Sequence, residues 1–270
     1  MVQGRIKTIS LLTILLTISL AVVSFLGAFD VNTYEREVQS MAAQGIGQDL
    51  VDLFMVVPLL VITLLYMLKG SNIAKLLHAG TVFYILYSFA VYSFGIHFNN
   101  LFLLYCLILG LSFYTFILDT NELLNMKIFP GNTEKIPVKG IAIFMILTAV
   151  MFYLLWLKDI VPAMIHNTVP KSVSDYDLLV NPVHVLDLSI ALPALIISGV
   201  LILKKNRYGF IFAPVLLVFV IILTIALAGM VAVMSHRGVM DDTSLMGIFI
   251  ALSIISGIFL YTILRTVKNE

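Results

Sequence analysis

Two pairs of polar side chains at the beginnings of apolar segments are the clearest candidates for chemistry in this sequence. Asp49 and Asp52 are three residues apart, and His184 and Asp187 repeat this spacing, so the members of each pair share one face of a helix. Such a pair could bind a polar group, exchange protons as a general acid and base, or ligate a metal ion. An aspartate in the first turn of a helix could instead cap free backbone N–H groups. The residue types alone leave these interpretations open.

Metal binding and catalysis gain little support from the rest of the chain. The sequence contains no HExxH or HxxxH motif and no paired Glu-x-x-His helices. The single cysteine, Cys106, excludes a disulfide within the chain. We therefore predict no metal site, and the sequence identifies neither a catalytic residue nor a cofactor.

Tyrosines and a histidine in the third apolar segment extend the candidate site. At helical spacing Tyr84 and Tyr92 lie on one face with Tyr87 at its edge, and buried hydroxyl groups need partners, so this face should turn inward. The tyrosines could serve helix packing or line a ligand cavity. His97 lies in the short turn that follows. The predicted ligand-binding residues are Asp49, Asp52, Tyr84, Tyr87, Tyr92, His97, His184 and Asp187.

The composition of the chain indicates the kind of protein that must position these residues. Hydrophobic residues make up 61% of the sequence and charged residues 11%, with a mean hydropathy of +1.08. Soluble domains have about 45–50% apolar and about 25% charged residues. A multi-pass membrane protein in a lipid bilayer is therefore predicted, and the net charge of +1 gives no reason to expect nucleic acid as a partner.

Eight segments are long and apolar enough to span the hydrocarbon layer as helices, which satisfy their own backbone groups in lipid. The predicted fold is therefore an all-α integral membrane protein. The predicted segments are Thr8–Phe29, Leu50–Leu68, Ala74–Ile96, Leu101–Leu118, Gly140–Leu157, Val185–Leu203, Gly209–Met234 and Leu245–Leu264. No Asp, Glu, Lys or Arg lies near the centre of any of these segments, which argues against a proton pump or a charge-lined channel.

The two halves of the chain resemble each other. The pattern recurs after 135 residues, from Asp52, Pro58 and Lys69 to Asp187, Pro193 and Lys204. We predict two parallel four-helix repeats, residues 1–118 and 140–270, joined by a cytoplasmic linker at residues 119–139 and related by a pseudo-two-fold axis along the membrane normal. The alternative is independent convergence on a common pattern at the start of a helix.

The distribution of lysine and arginine predicts the orientation. Twelve of these residues fall at one set of segment ends and four at the other, which places both termini in the cytoplasm. The long outer loops are then Asp30–Asp49 and Lys158–His184. In the linker, Pro130, Gly131 and Asn132 form a predicted turn. Tyr153 and Trp156 near the outer end of the fifth segment are predicted interface anchors.

Five stretches of the sequence resemble bacterial multi-pass membrane proteins that have no assigned function. These stretches are Gly47–Asp49, Gly95–Asn99, Trp156–Ala163, Asn181–Leu188 and Gly209–Pro214. The resemblance covers most of the chain. It implies a bacterial inner-membrane protein and supplies no activity, substrate or catalytic motif.

Together these observations predict a membrane protein that binds or moves a small amphipathic or lipid-like ligand. The site would lie between the repeats, near the outer face, where the two polar pairs converge. An intramembrane enzyme acting on a lipid or isoprenoid-like substrate, with or without a metal ion, is one alternative. An assembly subunit of a membrane complex is the other. The sequence does not specify the ligand or the oligomeric state.

Overall fold

The computed structural model describes residues 2–126 and 133–267. These residues form helices and connecting loops without β-strands, and eight helices are long and apolar enough to cross a membrane. The eight predicted segments are thus confirmed, and they indicate a multi-pass membrane protein. The helices are α1 (Val2–Phe29), α2 (Gln39–Leu68), α3 (Asn72–Gly95), α4 (Phe102–Asn125), α5 (Val138–Ile165), α6 (Pro182–Leu203), α7 (Arg207–His236) and α8 (Ser244–Leu264).

Helices α3 and α7 form the centre of the bundle. Each is 72% buried over its most apolar stretch, whereas the other six are at most 39% buried. Helix α3 packs against α2 and α4 of the first half (α1–α4), and α7 packs against α6 and α8 of the second half (α5–α8). The halves meet where α7 contacts α2 and α3, and where the beginning of α6 contacts α3.

Glycines allow the two halves to approach closely at these contacts. A Cβ atom on Gly47 of α2 would lie 2.6 Å from the Cα atom of Met230 in α7. A Cβ atom on Gly95 of α3 would lie 2.7 Å from Cγ of Pro182 in α6. Any larger side chain would separate the helices, as is usual where small residues mediate packing in membranes.

Short π-helical segments interrupt α2 and α6 at Asp52–Val56 and Asp187–Ala191. In each segment a backbone N–H bonds the carbonyl five residues earlier, from Val57 to Asp52 and from Leu192 to Asp187. The next residue in each helix is proline, which has no N–H and cannot maintain the regular α-helical pattern. Because both segments begin at an aspartate and differ by 135 positions, the local backbone follows the sequence correspondence.

Helix α2 corrects the predicted start of the second segment. It begins at Gln39 and continues through the π-helical segment to Leu68, so the expected loop at 30–49 ends at residue 38. Hydropathy located only the lipid-facing part from Leu50 onward. The earlier turns contain glutamine, glycine and aspartate, which are buried within the protein rather than exposed to lipid.

Two other boundaries differ from the prediction for related reasons. Helix α4 continues to Asn125, so the expected linker at 119–139 begins inside a helix whose Asp119 and Glu122 are buried. Helix α5 continues past Leu157 to Ile165, with Pro162 in its last turn. The expected turn at residues 130–132 lies outside the described residues.

Candidate functional site

The aspartates of α2 and α6 are not helix caps, and the capping interpretation is wrong. Asp49 and Asp52 lie far inside α2, where the preceding turns already use the backbone N–H groups. Asp52 is close to the middle of this helix but is only the third residue of the predicted apolar segment Leu50–Leu68, so the expectation that no acidic residue lies near the centre of a segment stays a prediction. In α6 the cap is Asn181, whose side chain accepts a hydrogen bond from the Val183 N–H.

Asp49 is bound by two tyrosines from different parts of the first half. Its Oδ1 atom accepts a hydrogen bond from the Tyr92 hydroxyl of α3 at 3.2 Å, and its Oδ2 atom accepts one from Tyr34 in the loop after α1. Burial and the nearby Asp49 raise the pKa of Tyr34 well above its ordinary value, so its hydroxyl remains a donor. Gly27 of α1 provides space, since a Cβ there would overlap the Asp49 carboxylate.

Asp52 has a less complete environment. The Tyr84 hydroxyl donates to its Oδ1 atom at 2.9 Å. Its Oδ2 atom has no partner within hydrogen-bond distance among the described residues, although the Gln48 side chain lies beside it. The Asp52 side chain is nevertheless only 1% exposed. The Nε2 atom of Gln48 also has no partner within hydrogen-bond distance, and it is a neutral donor beside this carboxylate.

Both carboxylate oxygens of Asp187 accept hydrogen bonds, one from each half of the protein. Its Oδ1 atom accepts from the Tyr87 hydroxyl of α3 at 2.8 Å, and its Oδ2 atom accepts from Nε1 of Trp156 in α5 at 2.7 Å. The Tyr153 hydroxyl donates to the Leu188 carbonyl at 3.1 Å. That carbonyl lies five residues before Pro193, which has no N–H to offer it. Trp156 and Tyr153 therefore bond to α6 instead of serving only as the predicted interface anchors.

The three tyrosines of α3 connect this helix to the aspartates of α2 and α6. Tyr84, Tyr87 and Tyr92 are all buried, as their inward orientation required. Two of them bond aspartates of α2, and Tyr87 bonds the aspartate of α6. Because Tyr84 and Tyr87 are three residues apart, their Cα atoms differ in height by about 4.5 Å along the helix.

His184 and His97 occupy different environments. His184 is buried, with its ring centroid 4.7 Å from that of Trp156, and its Nε2 atom has no partner among the described residues. His97 follows the end of α3 and is held by Glu37, which accepts from its backbone N–H at 2.7 Å and lies 3.1 Å from its Nδ1 atom. The Nε2 atom of His97 is 3.8 Å from a carboxylate oxygen of Asp177.

A groove of about 480 Å³ lies between the end of α3 and the beginning of α6. Its lining is mostly apolar and consists of residues 94–97, residues 177–180, Pro182, Val185 and Leu186. Of the eight predicted ligand-binding residues, only His97 lines this groove. The aspartates and tyrosines form hydrogen-bonded groups in the interior, and Asp187 directly follows the groove-lining Leu186.

Sequence reasoning missed a second polar group near the other end of α3. His78 lies 2.8 Å from the Asp119 carboxylate through Nδ1 and 3.0 Å from the Thr13 hydroxyl through Nε2. Beyond it, Lys75 donates to Glu122 at 3.1 Å. The spacing of three and four residues between buried polar positions on α3 and α4 was the signal that could have revealed this group. Across the described residues no three His, Cys, Asp or Glu side chains form a metal-binding group.

No protein-family model, curated protein or solved structure matches this chain. The resemblance to bacterial inner-membrane proteins therefore stays an expectation from the sequence.

Proposed function

We propose that this protein binds or moves a small amphipathic or lipid-like ligand in the groove between α3 and α6. The groove is the single observation on which this proposal rests. Its volume of about 480 Å³ falls in the range of about 300–1,000 Å³ that small-molecule sites occupy. Its apolar walls suit a hydrocarbon chain, and the exposed side chains of Phe94, Leu179 and Val185 have no apolar neighbours that cover them fully.

The polar part of the ligand would lie at His97. Glu37 holds both the backbone and the Nδ1 side of this residue, which leaves the Nε2 side directed toward Asp177 and the groove. A fixed imidazole at the mouth of an apolar groove can donate to or accept from a head group, depending on its protonation. Asp177 is 84% exposed in its side chain and can move to admit a ligand.

The aspartates of the predicted site would act by fixing the walls of the groove. Asp187 joins α6 to α3 through Tyr87 and to α5 through Trp156, directly after the groove-lining part of α6. Asp49 joins α2 to the part of α3 that precedes Gly95. We further propose that the halves are parallel repeats. The groove then lies between them, near the outer face of a bacterial inner membrane, because α3 and α6 belong to different halves.

The proposal is tested with a photoreactive diazirine derivative of stearic acid and the purified full-length protein in detergent. Mass spectrometry of the cross-linked peptides should locate the probe on residues 94–97 and 177–186. Val185→Trp fills the groove and should reduce labelling there. Ile197→Trp is the control, because Ile197 is similarly exposed on the same helix but does not line the groove.

Labelling spread evenly over the lipid-facing residues of all eight helices would reject a specific groove. Equal labelling of the Val185→Trp and Ile197→Trp variants would reject it as well. Either result would be interpretable only in folded protein, so both variants are first compared with the wild type by size-exclusion chromatography.

A second candidate function, an intramembrane enzyme, is favoured by one observation. Glu37 and His97 form a carboxylate–imidazole pair with the second ring nitrogen at the groove, which is the arrangement of a general base. The sequence also left open acid–base chemistry by His184 and Asp187, but the donors of Asp187 are Tyr87 and Trp156. Turnover of a lipid ester by the wild type, with loss in His97→Gln, would favour the enzyme over a binding protein.

A further inference from the structure

Buried polar side chains of the first half form two hydrogen-bonded groups at different heights along α3. In one group Tyr84 donates to Asp52 of α2 at 2.9 Å. In the other, His78 lies 2.8 Å from Asp119 of α4 and 3.0 Å from Thr13 of α1. All five of these residues are buried, with at most 3% of their surface exposed. The groups therefore lie inside the helix bundle and not at its surface.

Each group continues toward one end of α3. On the side of His78, Glu122 accepts a hydrogen bond from Lys75 at 3.1 Å and lies 3.5 Å from Arg5, whose side chain is partly exposed. On the side of Tyr84, Asp49 follows on the same face of α2 and binds Tyr34 of the first loop. The two groups thus reach opposite ends of the bundle.

Hydroxyl groups occupy the interval between the two groups. Tyr84 follows His78 by six positions, which corresponds to about 9 Å along the helix. Thr81 lies halfway and is fully buried. On α4, Thr115 lies one turn before Asp119 and its Oγ1 atom has no partner among the described residues. Proton transfer across this interval requires rotation of these hydroxyls or an intervening water molecule.

A comparison with helix α7 shows that packing alone does not explain the buried polar residues of α3. It is as central and as buried as α3, with 72% of its apolar stretch inside the protein. The buried polar residues of α3 are Asn72, His78, Thr81, Tyr84, Tyr87, Ser88 and Tyr92, and the residues 135 positions later on α7 are Arg207, Ala213, Leu216, Phe219, Ile222, Leu223 and Leu227, which are apolar from Ala213 onward. Because apolar residues suffice to pack the central helix of the second half, the costly polar residues of α3 require another reason.

The carboxyl groups near Tyr84 lack a cationic partner. Among the described residues, the hydrogen-bond donors of Asp49 and Asp52 are tyrosine hydroxyls, which are neutral. A carboxylate charge in the membrane interior is costly unless it is paired, and binding a proton removes this cost. Carboxyl, histidine and hydroxyl groups in series are the side chains from which proton relays in membrane proteins are built.

We infer that the first half of the protein conducts protons along α3, between Glu122 at one end and Asp49 at the other. Each carboxyl or imidazole group accepts a proton from one neighbour and releases one to the next, and no bond to carbon is made or broken. This activity is separate from ligand binding in the groove. It differs from the expectation against a proton pump, which considered only acidic residues near the centres of the predicted segments.

The test uses the purified full-length protein in liposomes that contain the pH-sensitive dye pyranine. A potassium gradient and valinomycin set a potential that draws protons inward. We expect the wild type to acidify the interior faster than protein-free liposomes, and Asp52→Asn and His78→Gln to lose this difference. Thr81→Val is a milder change within the relay and should also slow acidification.

Thr224→Val is the matched control for Thr81→Val. Both threonines are buried in a central helix and donate to the carbonyl four residues earlier, at 2.8 Å from Thr81 to Leu77 and 2.7 Å from Thr224 to Val220. The control should conduct as the wild type does. The inference fails if the wild type gives no flux above that of empty liposomes, if Asp52→Asn and Thr81→Val leave the flux unchanged, or if Thr224→Val lowers it equally. If Asp52→Asn does not fold, the comparison of Thr81→Val with Thr224→Val decides the test.

Discussion

Removal of single tyrosine hydroxyls should reveal how much the hydrogen bonds from α3 to the buried aspartates stabilise the protein. Tyr87→Phe removes one of two donors to Asp187, because Trp156 still donates to the other oxygen. Tyr84→Phe removes the one donor within hydrogen-bond distance of Asp52 in the described part of the chain. We therefore expect the second substitution to destabilise the protein more than the first.

The magnitudes follow from the kind of bond that is lost. Hydrogen bonds between helices in a membrane contribute about 0.6 kcal/mol on average. Hydrogen bonds to charged groups contribute about 1.5–3 kcal/mol, and the cost rises when the acceptor is left without a partner. We expect about 1–2 kcal/mol for Tyr87→Phe and about 2–3 kcal/mol for Tyr84→Phe.

The assay is equilibrium unfolding in mixed micelles of dodecylmaltoside and SDS, followed by circular dichroism. Tyr261→Phe is the control, because this residue is 67% exposed and the described structure gives its hydroxyl no partner. It should unfold as the wild type does. Free energies for Tyr84→Phe and Tyr87→Phe that equal that of Tyr261→Phe, or the reverse order of the two, would refute this account of the carboxylate environments.

Two further predictions concern the same buried groups. Gly27→Ala should destabilise the protein by about 1–3 kcal/mol in the same unfolding assay, because the added Cβ overlaps the Asp49 carboxylate. Gly110→Ala, where a Cβ meets nothing within 4 Å, should instead be neutral or stabilising, and equal effects of the two substitutions would contradict the prediction. Asp187→Leu should change the fluorescence emission maximum of Trp156, the only tryptophan, because the substitution removes the acceptor of its indole N–H. An emission spectrum identical to that of the wild type would show that this bond is absent in solution.

The number of helices was predictable because hydropathy directly measures the preference of a segment for lipid. The beginning of α2 was not predictable in this way. Residues Gln39–Asp49 face protein, where small and polar residues fit against α7 and α1, and so they resemble a loop in composition. Hydropathy also failed to predict the last turns of α4. The polar residues Asp119 and Glu122 lie there, paired with His78 and Lys75 from α3.

The inward orientation of the tyrosines was predictable, but their hydrogen-bond partners were not. Helical spacing correctly indicated that Tyr84, Tyr87 and Tyr92 face inward. It gave no means of assigning Tyr87 to Asp187, which lies 100 residues away in the other half. The groove was beyond prediction as well, because the loop residues that line it have no periodic pattern to place them against α3.

The unequal environments of Asp52 and Asp187 suggest how a common backbone could serve two purposes. Both residues begin a π-helical segment that precedes a proline, so the backbone around them is equivalent. Asp187 accepts two donors and holds α6 beside the groove, which is a role that needs no change in protonation. Asp52 retains one oxygen without a donor and lies next to the polar side of α3. Supplying Asp52 with a second fixed donor should therefore stop the proton flux while leaving the groove intact.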